Sequence, residues 1–160
     1  MIGTSAFRRA QSARRAGPGT GRGDGDEPEQ GVAQVRGVSR RVLVVDDDDL
    51  LREVAKASLE MVGGWEVLTA SSGSEACGVA LSESPDALLL DVMMPGMDGP
   101  STVVALRGDP ATRDIPVIFL TAKVGGEGHQ DWGRLEVAGV IPKPFDPMSL
   151  PAEVARLLGW

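Results

Sequence analysis

Five short apolar runs, each followed by a longer segment with helix signals, set the strongest limit on what this chain can fold into. They are VLVV (Val42–Val45), WEVLTA (Trp65–Ala70), ALLL (Ala87–Leu90), PVIFL (Pro116–Leu120) and GVI (Gly139–Ile141). A run that is apolar at every position suits a parallel strand covered on both faces, because an antiparallel strand with one wet face alternates.

The intervening segments read as helices. Leu51, Val54, Ala55, Leu59 and Val62 share one helical face, and Gly63 and Gly64 close that helix. Ser72 and Glu75 form a capping-box pattern ahead of Ala76, Val79 and Ala80, and Pro85 stops the second helix. Pro100 falls in the first turn of the third helix and Gly108 follows its end. Residues 124–137 give the weakest helix signal, with Gly125, Gly126 and Gly128 near its start. Ser149 is expected to cap a last helix that buries Leu150, Val154, Leu157 and Leu158. The expected fold is α/β: a (βα)5 doubly wound parallel sheet in the flavodoxin-like strand order 2-1-3-4-5. Pro142 agrees with that order, since it would place the fifth strand at an edge, where a missing N–H is tolerated.

Residues 1–39 have a different character. The stretch RAGPGTGRGDGDEPEQG is rich in Gly, Pro and polar residues and shows no apolar period. It is expected to be a disordered N-terminal tail, with the folded domain spanning residues 40–160. The tail carries six Arg and four acids, and residues 40–160 carry 10 basic and 19 acidic residues. The folded part is therefore acidic at −9 and the tail basic at +2, which sum to the chain's −7. Such an acidic domain is poorly suited to direct nucleic-acid binding, which needs basic patches. Cys77 is the one cysteine, so no intrachain disulfide can form, as suits a reducing cytoplasm. No apolar run approaches the ~20 residues of a membrane span.

In an open α/β sheet, ligands bind beyond the carboxyl ends of the strands. There the first run ends in Asp46 and Asp47, the third in Asp91, the fourth in Thr121, and the fifth in Pro142-Lys143-Pro144. Three carboxylates in one crevice repel, and a hard divalent cation such as Mg²⁺ relieves that repulsion. A phosphoryl group could then be held by the metal, by Lys143 and by a hydrogen bond from Thr121. A carboxylate is itself a competent nucleophile toward phosphorus.

The segments VLVVDDDD, LLLDVMMPGMDG, IFLTAK and IPKPFD, in this order, resemble the bacterial two-component response-regulator receiver family, including its single-domain chemotaxis regulators. The resemblance runs over about residues 41–158. It implies that Asp91 accepts a phosphoryl group from a sensor histidine kinase or a phosphotransfer protein, with Mg²⁺ as cofactor. It further implies that Asp47 ligates Mg²⁺ directly and Asp46 mostly through water, and that the Met93 backbone carbonyl supplies another oxygen. Thr121 and Lys143 would contact the phosphoryl group, and the Lys143–Pro144 bond would be cis. The implied protein is not an enzyme acting on other substrates; it catalyses only its own phosphorylation and dephosphorylation, and signals by a change of shape.

Two departures from that family stand out. The place of its aromatic switch residue holds Val140, and the chain contains no Tyr. No effector segment is expected after residue 160, so output is expected to pass to an unknown partner, through phosphoryl relay, or through self-association. A homodimer would use the face formed by the helix over 124–137, the fifth strand and the last helix. Within the acidic run, Asp48 or Asp49 is expected to cap the first helix. An EF-hand is excluded because no Gly stands sixth and no Glu closes the loop. His129 reads as a surface residue, Cys77 as a small core-side residue and Trp65 as a strand aromatic; Trp132 fits core and partner surface equally. Two other functions fit parts of the pattern. One is a haloacid-dehalogenase-like phosphatase with Asp46 as nucleophile and Asp48 as general acid. The other is a pseudo-receiver that binds partners without phosphorylation.

Overall fold

The computed structural model describes residues 39–122 and 132–160. Residues 1–38 and 123–131 lie outside it, and with them the expected tail, His129 and most of the helix expected over 124–137. Five strands form one parallel sheet: β1 (Arg41–Val45), β2 (Glu66–Ala70), β3 (Ala87–Asp91), β4 (Val117–Thr121) and β5 (Gly139–Pro142). The order is β2-β1-β3-β4-β5, as the apolar runs imply. The four described helices are α1 (Asp49–Met61), α2 (Gly73–Glu83), α3 (Gly99–Arg107) and α4 (Leu150–Leu158).

Strand periodicity divides the core into two layers, one on each side of the sheet. Leu43, Val45, Leu88, Leu90 and Phe119 pack with Ala76 and Ala80 of α2 and Val103 and Leu106 of α3. The alternate residues Val42, Val44, Leu89, Ile118, Leu120 and Ile141 pack with Ala55 and Leu59 of α1 and Leu150 and Val154 of α4. Residues from both layers are fully buried in β1, β3 and β4, which is why these runs carry no polar alternation. Each large side chain so buried stabilises the fold by roughly 1.5–3 kcal/mol. The outer strands β2 and β5 bury only part of their length. In β5 the Lys143 N–H donates to the Thr121 carbonyl at 2.7 Å. N–H groups alternate along a strand, so the missing N–H of Pro142 is the one that would point away from β4.

The local caps match the expectation in part. Asp48 is the N-cap of α1, its Oδ1 accepting from the N–H groups of Leu50 (2.9 Å) and Leu51 (3.1 Å). Ser72 caps α2 by accepting from Glu75 N–H, but the Glu75 carboxylate accepts from the N–H and hydroxyl of Ser71, one residue before the cap. Ser149 stands at the N-cap of α4 without capping it through its side chain; its hydroxyl donates to the Asp146 carbonyl instead. Val62 is exposed, and Ser58 takes the buried place on α1, its hydroxyl donating to the Pro147 carbonyl. Trp65 precedes β2 rather than lying in it. Its ring meets Trp160 edge-on at 5.2 Å, and the Arg40 guanidinium lies 4.7 Å from the Trp160 ring. Trp132 packs on the core side, 5.0 Å from Phe119, and leads into a 3₁₀ turn over Gly133–Leu135 where the sequence suggested continued α-helix. Cys77 is partly buried against the α2/α3 layer, as expected.

Gly99 fixes the start of α3 against the end of β3. Its N–H donates to the Val92 carbonyl at 2.9 Å, and a Cβ there would stand 2.7 Å from the Asp91 carbonyl and 2.9 Å from the Val92 Cα. Both are backbone atoms that cannot rotate aside. Gly99→Ala is expected to destabilise the domain by about 1–3 kcal/mol in denaturant unfolding. Stability equal to wild type would show that the β3–α3 loop yields easily.

Candidate functional site

The β1–α1 junction, the end of β3 and the β5–α4 junction meet at one edge of the sheet. Each strand there ends in a residue that the hydrophobic core cannot use. Asp46 follows β1, Asp91 is the last residue of β3, Thr121 is the last residue of β4, and Lys143 follows β5. Asp46 and Asp91 are only 1% and 5% exposed, and Thr121 is buried with them. Asp47, the next residue out, is exposed. Carboxylate oxygens of Asp46, Asp47 and Asp91 all lie within 4.8 Å of one another.

Among the described residues, one cation answers the two buried acids. Lys143 Nζ lies 2.6 Å from Asp46 Oδ2 and 3.2 Å from Asp91 Oδ1. Asp46 Oδ1 accepts from Asp48 N–H at 2.9 Å, so both of its oxygens are engaged. Asp91 Oδ1 also accepts from the Met93 N–H in a long contact of 3.4 Å. Met93 is 66% exposed, and this N–H is its tie to the site. The Lys143–Pro144 peptide is cis.

The electrostatics follow from this packing. Burial and then the Asp46 carboxylate push the Asp91 pKa up to about 6, against the charge and hydrogen bond of Lys143 and the Met93 N–H. Burial draws the Lys143 pKa down. The hydrogen bond and charge of Asp46, joined by Asp91, outweigh burial and hold the ammonium above its ordinary value. Two acids against one ammonium, with a third carboxylate alongside, leave the cluster net negative. Three oxygen donors of that kind suit a hard divalent cation and give a soft metal no sulfur or imidazole.

Arg52 is a part of the site that strand-end reasoning missed. Its Nη1 donates to the Asp46 carbonyl at 2.8 Å, and its Nη2 reaches Asp49 Oδ1. The Asp49/Arg52 spacing of three on a helix start was the available signal.

Comparisons with known proteins agree with this architecture. Residues 42–155 match the model of the response regulator receiver domain. The phosphate regulon transcriptional regulatory protein PhoB of Pseudomonas aeruginosa is 41% identical over 123 residues, covering 76% of this chain and 52% of that protein. Response regulator PleD of Caulobacter vibrioides is 41% identical over 121 residues, covering 75% of this chain and 26% of that protein. The chain thus spans about half the length, or less, of these curated relatives. Among solved structures, the chemotaxis protein CheY4 of Vibrio cholerae superposes with a TM-score of 0.70 at 32% identity, covering 74% of this chain and 98% of that one. The receiver domain of the sensor histidine kinase PA1611 from Pseudomonas aeruginosa, solved with a magnesium ion coordinated in its active-site cleft, gives 0.68 at 26% identity, covering 76% and 99%. With its sheet order, its acidic cluster and these matches, the chain belongs to the response regulator receiver domain family of two-component signalling.

Proposed function

We propose that the domain accepts a phosphoryl group on Asp91 with Mg²⁺ present and passes the signal on by a change of shape. The observation that carries this reading is the setting of Asp91, buried at the end of β3 and facing both an acidic pair and the Lys143 ammonium. A carboxylate oxygen of Asp91 attacks the phosphorus of a phosphohistidine or a small phosphodonor. The new O–P bond forms as the donor's bond to phosphorus breaks, and the leaving group departs with that electron pair. Lys143 is placed to move from the Asp91 carboxylate to a phosphoryl oxygen, and the Thr121 hydroxyl to donate to another. Asp46, Asp47, Asp91 and the Met93 carbonyl would hold Mg²⁺, which when bound offsets carboxylate repulsion and the charge of the transferred group.

The donor is a sensor histidine kinase or phosphotransfer protein of the kind that feeds this family. The output goes to a protein partner, to relay, or to a homodimer through the β5/α4 face and the segment over 124–137. No helix among the described residues is long and apolar enough to cross a membrane, and the reading places the protein in the cytoplasm. Residues 1–39 serve as a tail to the receiver over 40–160. The phosphatase alternative is not favoured by the site. Both Asp46 oxygens are engaged, and Asp48 spends its side chain on the α1 cap, leaving no free nucleophile and acid pair. A pseudo-receiver is not favoured either, because the acids, the hydroxyl and the amine are all present.

The direct test is intact-mass spectrometry after treatment with a small phosphodonor. One phosphoryl group should appear, and only when Mg²⁺ is added. Labelling that ignores Mg²⁺ would count against the reading. Asp47→Ala removes an exposed carboxylate that engages no donor among the described residues, so it should leave stability almost unchanged while weakening Mg²⁺ binding at least tenfold by calorimetry. Asp46→Ala should weaken it less. Equal affinity in Asp47→Ala and wild type would rule out direct ligation.

A further inference from the structure

Asp47 is the exposed member of the acidic triad, and its carboxylate makes no hydrogen bond or ion pair among the described residues. Its direction is set by the backbone that carries it. The decisive peptide unit is Asp46–Asp47, whose carbonyl belongs to Asp46. On one side of that unit, the Asp46 N–H donates to the Ala70 carbonyl at 3.2 Å, closing the β1–β2 ladder. On the other, Asp46 Oδ1 accepts from Asp48 N–H at 2.9 Å. The carbonyl itself accepts from Arg52 Nη1 at 2.8 Å. The Arg52 side chain is only 15% exposed, and its other arm is tied to Asp49 on the same first turn of α1. A planar guanidinium held at both arms fixes an acceptor more rigidly than a single flexible amine.

We infer that Arg52 is a positioning residue for divalent-cation binding: it locks the Asp46–Asp47 peptide plane and so aims the Asp47 carboxylate at the space between Asp46 and Asp91. This rests on the reading of those three acids as a Mg²⁺ site. Geometry matters here because Mg²⁺ demands near-ideal octahedral ligands at ~2.0–2.1 Å and tolerates misplacement poorly. Charge predicts the opposite sign. A cation beside the site repels Mg²⁺, so if Arg52 acted only through charge, its removal would tighten binding. The direction of the change therefore separates the two roles.

The experiment is calorimetric titration of the full chain with Mg²⁺ alone, at a temperature where circular dichroism shows each variant folded. Arg52→Met should weaken Mg²⁺ about tenfold, within the range found when groups that orient metal ligands are removed. Arg52→Lys keeps one N–H within reach of the carbonyl and should recover part of the loss. Arg41→Met is the control. Arg41 sits at the far end of β1 and holds Glu66 and Glu83 in ion pairs of 3.0 and 3.6 Å, so its loss removes more pairing but should not move Mg²⁺ affinity. Labelling with a small phosphodonor should show the matching split: Arg52→Met slow at low Mg²⁺ and at the wild-type rate at saturation, since Asp91 and Lys143 are untouched. Unchanged or tighter Mg²⁺ binding in Arg52→Met, beside a wild type that binds normally, would overturn the positioning role alone. A wild type that took up no Mg²⁺ would overturn the reading of the site as well.

Discussion

Asp91→Asn should abolish covalent labelling by a phosphodonor and at the same time make the metal-free domain more stable at neutral pH. The first effect follows from chemistry, because an amide oxygen is a poor nucleophile toward phosphorus and no other described carboxylate is both buried and in contact with Lys143 except Asp46, whose oxygens are engaged. The second follows from linkage. The Asp91 pKa is pushed up to about 6 from an ordinary value of 3.8. Between those values the folded state holds more protons than the unfolded chain at this site, so the contribution of Asp91 to stability is fully present below about pH 4 and is lost as pH rises through about 6. At pH 7 the ionised group therefore costs stability, on the order of 1–3 kcal/mol for a shift of this size in a buried setting. Asn is neutral and nearly isosteric, and it leaves the Lys143–Asp46 pair intact. Urea unfolding in the presence of a chelator checks this: the variant should exceed wild type at pH 7.5, and the gap should close near pH 4.5. Covalent labelling of the variant would sink the assignment of Asp91. A variant less stable than wild type at pH 7.5 would show that the carboxylate is a net structural asset.

The same linkage shapes how the metal would bind. A cation competes with the proton for Asp91, so Mg²⁺ affinity should fall as pH drops below about 6, by at most about tenfold per pH unit. Titration at pH 5 and pH 7.5 measures this directly, and equal affinities would mean that Asp91 is not among the ligands.

Most of the sheet was legible because its residues obey one rule. Val42–Val45, Ala87–Leu90 and Val117–Leu120 are buried on both faces, and only a parallel strand in the middle of a sheet requires that. The order then placed Asp46, Asp91, Thr121 and Lys143 at one edge. Features set by competition between neighbours were not legible. Glu75 could have closed its capping box on Ser72 but finds both a backbone N–H and a hydroxyl on Ser71. The buried place of Ser58 leaves no trace in the apolar period of α1, because its hydroxyl is satisfied by a carbonyl 89 residues away, which no local pattern reveals. Val62 continues the apolar period of α1 past the end of its partner surface. Arg52 was missed for a similar reason: its acceptor is a backbone carbonyl, and backbone acceptors leave no mark in a sequence. Trp132 had no period to place it, and packing against Phe119 decides for the core side.

Lys143→Met tests how the resting site is balanced, and it should be the most disruptive single change there. The Lys143 side chain is 12% exposed and its ammonium lies 2.6 Å from Asp46 and 3.2 Å from Asp91, so its removal leaves two buried carboxylates facing each other without a counter-charge among the described residues. Breaking a buried pair in this way commonly costs about 3–5 kcal/mol. Because the folded Lys143 pKa is raised, its stabilising contribution is fully present at every pH below its ordinary value of 10.5, and is lost only above that. The loss in the variant should nevertheless depend on pH, through Asp91. Without the lysine, the Asp91 pKa must rise further from about 6, and protonation then relieves the repulsion. The variant should be much less stable than wild type at pH 8 and much closer to it near pH 5. Millimolar Mg²⁺ should restore more stability to the variant than it adds to wild type, since the cation takes over the missing charge. Phosphodonor labelling at saturating Mg²⁺ should be slowed but still directed to Asp91, because the nucleophile remains. Thermal unfolding across pH 5–8, with and without Mg²⁺, measures the stability effects, and a loss that ignored both pH and Mg²⁺ would show that Lys143 acts by packing its aliphatic chain rather than by charge.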